Sequence, residues 1–219
     1  MPKVTDAYLA SKREFIIQCA EEIFREKPLY QMTMRDIIKK TGYSQGAIYR
    51  YYANLDEIYL DLVNAYTPEQ VLEVQIDQLL ASNENEAHII REGLIAIGSY
   101  IESLQHVMGG KIYFELLVTY AYDAEKRNSV LSRLKFKQSL EYAQSRMVTY
   151  LDEQVQRGLL KPIIPLEEIV LFTCTSIDGI ANDAAISQVE DHHSDLAPQI
   201  DIVSMFQTLS KAITYFLGL

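Results

Sequence analysis

The sequence predicts an all-α protein of about nine helices, in which three short helices precede a larger helical body. Two observations lead there. Apolar residues recur every three or four positions in nearly every segment instead of alternating, and the 9 glycines and 6 prolines fall between those segments. A chain of 219 residues with 48% hydrophobic content is also long and apolar enough to fill a core, in one or two domains.

Phe15, Ile16, Cys19, Ala20, Ile23 and Phe24 form the stripe of a first helix. Pro28 ends it, because proline has no N–H to donate and clashes with the preceding turn. Thr33 caps a second helix of about two turns, with Asp36 at the capping-box position, Met34, Ile37 and Ile38 facing inward, and Gly42 as its stop. Ser44 caps a third that runs to Tyr51 or Tyr52, and Asn54 with Glu57 caps a fourth that starts at Leu55. Thr67-Pro68 breaks or kinks the fourth helix, and its apolar periodicity resumes to about Leu80. A polar run over 82–85 precedes a helix over 86–107, and Gly109-Gly110 separates that helix from one over 112–122. A long helix over 125–157 closes at Gly158. Pro162 and Pro165 mark a turn before the last two helices, over 166–189 and 198–217, with the polar stretch 190–195 between them read as a mobile loop.

Cys19 and Cys174 lie far apart within apolar runs, a pattern of neither a disulfide framework nor a metal site. No apolar run approaches the roughly 18 residues that a membrane span needs, and residues 1–6 lack the apolar core of a signal peptide. A soluble protein of the reducing cytoplasm is expected. The net charge of −10 argues at first against nucleic acid, which attracts basic surfaces. Its distribution reverses that impression, because residues 1–52 carry nine Lys/Arg against six Asp/Glu, a balance of +3 that leaves −13 for residues 53–219.

The run from Thr33 to Tyr52 has the spacing of a helix-turn-helix: a capped helix, a short turn containing Gly42, and a second short helix. It is spelled Thr33-Met34-Arg35-Asp36-Ile37-Ile38, followed by Thr41-Gly42-Tyr43-Ser44-Gln45-Gly46-Ala47-Ile48-Tyr49-Arg50-Tyr51-Tyr52. This closely resembles the signature of the tetracycline-repressor (TetR) family. The likeness extends back through Ala20-Glu21-Glu22-Ile23-Phe24 and forward to Asn54-Leu55-Asp56-Glu57-Ile58, about residues 12–62. Further on it is looser, resting on helix order, on Phe114-Glu115-Leu116-Leu117 and on Asp178-Gly179-Ile180. The resemblance implies a ligand-responsive transcription regulator, a repressor that binds a pseudo-palindromic operator in double-stranded DNA as a homodimer and is released by a small-molecule effector. It implies a DNA-binding head over 1–53 and a ligand-sensing, dimerising helical bundle over 54–219.

Residue chemistry suggests roles within that head. Gly46 lets the third helix approach a duplex closely, while Ser44 and Gln45 at its start reach base edges in the major groove. Tyr49 and Arg50 suit phosphate or base contacts, and Thr33 with the free amides at the start of the second helix can hold a phosphate. Lys39 and Lys40 are further candidates for phosphates, or else simply solvate a helix face. Ala47, Ile48 and Tyr52 are expected to pack with Ile23, Phe24 and Ile37. Two positions depart from the family pattern. Leu55 stands where a phosphate-contacting lysine is common, and Pro28 stands in place of a glycine.

The resemblance also implies that the last two helices form a four-helix bundle with the partner subunit. Ile177, Ile180, Ala184, Val203, Phe206, Leu209 and Ile213 are its expected face, an ordinary core within one chain being the alternative. An effector pocket is expected among the middle helices, from Tyr66, Tyr100, His106, Phe114, Glu115, Tyr120, Tyr142, Phe172 and Asp178, unless these serve the core. The 15 tyrosines suit an amphipathic or aromatic ligand. Glu115 and Asp178, amid apolar neighbours, suit a cationic one or else capping and interhelix hydrogen bonds. With no HxxxH, CxxC, GxSxG or Gly-rich phosphate loop, neither an enzyme nor a metal or cofactor site is expected. A helical module that uses the same head architecturally is the remaining alternative.

Overall fold

The computed structural model describes residues 6–105, 107–120, 122–187 and 200–219. Eleven α-helices and two 3₁₀ turns make up the described residues, with no strand among them. The helices begin α1 (Asp6–Glu26), α2 (Met34–Thr41), α3 (Gln45–Tyr49), α4 (Leu55–Tyr66), α5 (Val71–Leu80) and α6 (Glu86–Gln105). They continue α7 (Met108–Tyr120), α8 (Ala124–Ser129), α9 (Lys135–Gln156), α10 (Leu166–Ser187) and α11 (Ile202–Phe216). The chain forms two compact units, Met1–Thr67 with Val107–Lys135, and Pro68–His106 with Phe136–Leu219.

In the first unit α1 packs on α2 and α4, and α4 packs on α7. Helix α4 falls in this compact unit, where Ile58, Tyr59, Leu62 and Val63 are buried. The Tyr59 hydroxyl donates to the carbonyl of Leu29, in the 3₁₀ turn Leu29–Gln31, at 3.2 Å. Gly109 and Gly110 do not separate two helices as expected; they fall in the first turn of α7, where glycine interrupts few intrahelical bonds. The expected long helix over 125–157 is likewise divided, into α8, a 3₁₀ turn Leu131–Arg133, and α9. Val130, Leu131 and Leu134 are buried at the break. Asn64 of α4 satisfies the backbone groups freed there, accepting from Lys135 N at 2.9 Å and donating to Arg133 O at 3.3 Å.

In the second unit α6 is central, packed against α5, α10 and α11. Ten of its twenty residues are buried. Polar bonds tie α9 to α5: Ser139 donates to Glu73 at 2.6 Å, and Tyr142 and Arg146 both bind Asp77. Helix α10 overturns one expectation. Its stretch Leu166–Ile186 has a mean hydropathy of 1.3, long and apolar enough by composition to cross a membrane. Glu167, Glu168, Asp178 and Asp183 divide it into shorter runs, which is why counting uninterrupted apolar residues passed it over. Only 11% of that stretch is buried, so most of an apolar helix is left uncovered.

The tightest approach in this unit is between α6 and α11. A Cβ on Gly98 would lie 2.5 Å from Cγ of Phe206, whose side chain is wholly buried and has no room to retreat. Gly98→Ala is therefore expected to destabilise the protein by about 1–3 kcal/mol in urea denaturation. Gly46→Ala, where nothing lies within 4 Å of the added Cβ, should not.

Candidate nucleic-acid interface and effector cavity

Local chemistry builds the helix-turn-helix as its spacing predicts. Thr33 Oγ1 accepts from Asp36 N at 3.3 Å and Asp36 Oδ2 accepts from Thr33 N at 2.8 Å, a complete capping box on α2. Lys27 Nζ lies 2.6 Å from the same carboxylate oxygen, and with the Thr33 bonds it holds Asp36 below the usual carboxylate range. Gly42, at φ 69°, ends α2 in the left-handed region that glycine adopts without strain. Ser44 caps α3, its Oγ accepting from Ala47 N at 3.3 Å.

Helix α3 stops at Tyr49, one short turn earlier than expected, with Arg50 as its C-cap. Tyr51 and Tyr52 continue as a turn, both N–H groups donating to Ile48 O. Tyr52 is wholly buried and donates to Asp61 Oδ2 of α4 at 2.9 Å. Arg13 of α1 binds the same oxygen at 2.7 Å and lies 4.5 Å from the Tyr52 ring centroid. Burial and the Asp61 charge push the Tyr52 phenol upward. Ile48 is buried along with Ile23, Phe24 and Ile37, whereas Ala47 is only half-buried.

Ser44, Gln45, Gly46, Tyr49 and Arg50 are all exposed. Of the described lysines and arginines of the head, most are already engaged. Lys12 donates to Tyr43, Arg13 pairs with Asp61, Arg25 with Glu21 and Lys27 with Asp36. Lys40 lies 2.8 Å from Glu22 and 3.9 Å from Glu26, so it is turned toward α1 and its charge is compensated there. Among the described residues Arg35, Lys39 and Arg50 remain exposed without such a partner. Arg35 was not singled out from the sequence. Its position beside the inward Met34 and Ile37, in the first turn of a capped helix, was the available signal.

The residues expected to line one pocket are divided between the units, and His106 lies outside the described residues. In the first unit each polar tip finds a partner close by. Tyr66 donates to Glu21 and is pushed up to about 12 by burial and that carboxylate. Glu115 accepts from Leu29 N at 2.8 Å, a capping role. Tyr120 and Lys126 both bind Asp56, and Phe114 meets Tyr113 edge-on at 5.3 Å. A cavity of about 190 Å³ lies beside Tyr120, Asp56, Tyr59 and Leu116. In the second unit Tyr100 is buried and stacks on Phe136 at 5.5 Å. Tyr142 is exposed and donates to Asp77, and Phe172 is partly exposed against Phe216.

Among the described residues of that set only Asp178 reaches the cavity of the second unit, about 150 Å³ between α6, α9, α10 and the end of α11. Its apolar walls include Leu94, Met147, Leu151 and Ile213. Gln144, Thr173 and Cys174 also line it, and these the sequence reading missed by favouring aromatic positions.

Several residues expected on the dimer face are covered within the chain. Phe206, Leu209 and Ile213 are buried within the chain on the α11 stripe, α11 packs on α6, and Ala184 is 2% exposed. Ile177 lines the cavity, and Ile180 and Val203 are half-buried. The uncovered apolar groups are instead Leu171, Phe172 and Ile186 of α10, and Met205 and Tyr215 of α11. The expectation read the strongest apolar stripe of α11 as surplus, whereas its own core consumes it.

The family model described as bacterial regulatory proteins, tetR family, matches residues 16–62. Over 189 residues, 84% of either chain, the sequence is 25% identical to YfiR, an uncharacterized HTH-type transcriptional regulator of Bacillus subtilis. SmeT, the repressor of the Stenotrophomonas maltophilia multidrug efflux pump SmeDEF, superposes with a TM-score of 0.59 at 15% identity, covering 93% of this chain and 88% of that one. The Bacillus subtilis regulator FadR, crystallised with stearoyl-CoA, gives 0.55 at 18% identity, covering 92% and 97%. These two structures share the fold.

The capping box makes a testable demand on the head. Asp36→Ala should cost about 1 kcal/mol of stability, with faster amide exchange in the first turn of α2. Because Asp36 is held low in the folded protein, its contribution is complete at neutral pH. The difference from the parent should shrink only below about pH 4, as the pH falls through the lowered Asp36 value.

Proposed function

Since the chain belongs to the tetR family of bacterial regulatory proteins, DNA-binding regulators of transcription and not enzymes, we propose that it is a cytoplasmic repressor of a pseudo-palindromic operator. It binds as a homodimer and is released by a small molecule. The observation that carries this reading is the capped α2–turn–α3 segment, whose exposed side chains Gln45 and Arg50 have no partner among the described residues.

Ser44 and Gln45 read base edges from the start of α3, and Gly46, with open space where a Cβ would stand, admits the duplex closely. The Ser44 hydroxyl oxygen accepts the capping bond, leaving its proton for a base acceptor. Tyr49, Arg50, Lys39 and Arg35 contact phosphates. At the start of α2 the Thr33 side chain is committed to Asp36, so a phosphate there meets the backbone N–H groups and Arg35. Lys40 contributes little net charge because Glu22 faces it, and Leu55 contributes none.

The outer face of α10, with Leu171, Phe172 and Ile186, supplies the dimer contact, joined by Met205 and Tyr215 of α11. Gly179 there has nothing within 4 Å of an added Cβ and lets a partner helix come near. Two-fold symmetry then sets the two α3 helices about one DNA turn, roughly 34–36 Å, apart. The effector enters the cavity between α6, α9 and α10 and favours a dimer whose α3 spacing no longer fits adjacent grooves. A tenfold loss of DNA affinity requires it to prefer that state by about 1.4 kcal/mol. Thr67-Pro68, where the first unit gives way to the second, is the proposed hinge.

Selection of bound duplexes from random DNA tests this reading, and recovery of no palindrome would overturn it. Arg35, Lys39 and Arg50, the free cations among the described residues of the head, all on phosphates, give a slope of roughly −5 for log affinity against log salt in the dimer. Arg50→Ala should weaken all sites alike and reduce that slope by about 2, whereas Lys40→Ala should change it little. Gln45→Ala should shift preference at one base pair per half-site by about 1–3 kcal/mol, and an unchanged selection profile would remove Gln45 as a reader.

A further inference from the structure

We propose that the effector of the second unit's cavity is a small cationic amphiphile, a protonated amine on a single ring or short branched apolar body, with Asp178 as its counter-charge. This rests on the reading of that cavity as the effector site.

The walls are polarised. Leu94 and Ile97 of α6, Met147 and Leu151 of α9 and Ile213 of α11 make an apolar floor. The polar members come from two helices, Thr173, Cys174 and Asp178 from α10 and Gln144 from α9, set among the apolar Val170 and Ile177 of α10. Among the described residues Asp178 is the only charged one in the lining, and no lysine, arginine or histidine joins it. The carboxylate has no ion pair or hydrogen bond among the described residues. Asp178 is itself exposed, at the solvent side of the cavity, and the partial burial of its carboxyl there raises its pKa.

The rest of the polar rim also presents acceptors. Gln144 Nε2 donates to Cys174 Sγ at 2.8 Å, which leaves the amide oxygen of Gln144 open. The Thr173 hydroxyl proton is spent on Ile169 O at 2.7 Å, so its oxygen can only accept. With the Gln144 amide oxygen and the Thr173 hydroxyl oxygen as acceptors near the Asp178 carboxylate, the polar groups favour a ligand that brings donors and a positive charge.

Size and sign together separate this site from the acyl-CoA seen in the FadR structure. About 150 Å³ is the room of one small ring, the scale at which an apolar protein cavity takes up benzene, and not that of a long acyl chain. The phosphates of a coenzyme A head would find no cation in this lining. Glu115, the other carboxylate that the sequence offered to a cation, is already bound to Leu29 N in the first unit.

The test titrates the full-length protein with benzylamine, benzyl alcohol, benzoate and stearoyl-CoA by calorimetry, in parent, Asp178→Asn and Leu94→Trp forms. Benzylamine should bind at least tenfold more tightly than benzyl alcohol, with benzoate and stearoyl-CoA weaker still. Asp178→Asn should erase the advantage of the amine while benzyl alcohol binding persists, which also shows that the variant is folded. Leu94→Trp should fill the cavity and abolish both. Equal or tighter binding of benzoate or stearoyl-CoA, amine binding that survives Asp178→Asn, or no amine binding at millimolar concentration would each overturn the proposal. Gel shift of ligand-free protein on selected DNA keeps the two questions apart. DNA binding without amine binding rejects only the ligand class, and amine binding without DNA binding rejects the regulator reading.

Discussion

A five-residue helix does not hold its shape in water, so α3 depends on what fastens its two ends. Ser44 closes the first end by capping. The second end is held by a side chain that has left the helix: Tyr52, buried against α4, shares an oxygen of Asp61 with Arg13. Three elements meet at that one carboxylate, α1 through Arg13, the end of α3 through Tyr52, and α4 through Asp61 itself. The direction in which Gln45 and Arg50 face solvent is inherited from this fastening, as is the short length of α3.

The second unit shows a comparable dependence on α6. Half of that helix is buried, and its two closest neighbours exploit missing side chains, Phe206 over Gly98 and the tip of Met147 over Gly93. Packing of that density fixes the floor of the cavity, while α10, poorly covered within the chain, forms its rim. Rigid apolar walls and a less buttressed α10 side fit the effector role proposed for this cavity.

What could be read from the sequence was whatever is decided within a few residues. Thr33 with Asp36, Gly42, Ser44, and Asn54 with Glu57 each occupy the capping position expected of them, because a cap bonds to backbone only two or three residues away. The break between α8 and α9 was not legible, since the groups that satisfy it belong to Asn64, about seventy positions upstream. The residues expected around one pocket are not brought together, for a related reason. A tyrosine in an apolar stripe says that its hydroxyl needs a partner, yet not which one, and Glu21, Asp56 and Asp77 supplied it from inside the units. The apolar stripe of α11, expected to meet a second copy, is covered largely within the chain, and a stripe cannot announce which of the two will cover it.

The first compact unit is assembled from two stretches of chain separated by about forty residues of the second. A chimera that transplanted only the amino-terminal helices onto another regulator would leave behind α7 and α8. With them would go Glu115, which caps the Leu29 turn, and Tyr120 and Lys126, which hold Asp56 at the start of α4. On the reading proposed for α2 and α3, exchange of DNA specificity between such proteins is therefore better done by grafting the surface residues of these two helices than by swapping the head as a block.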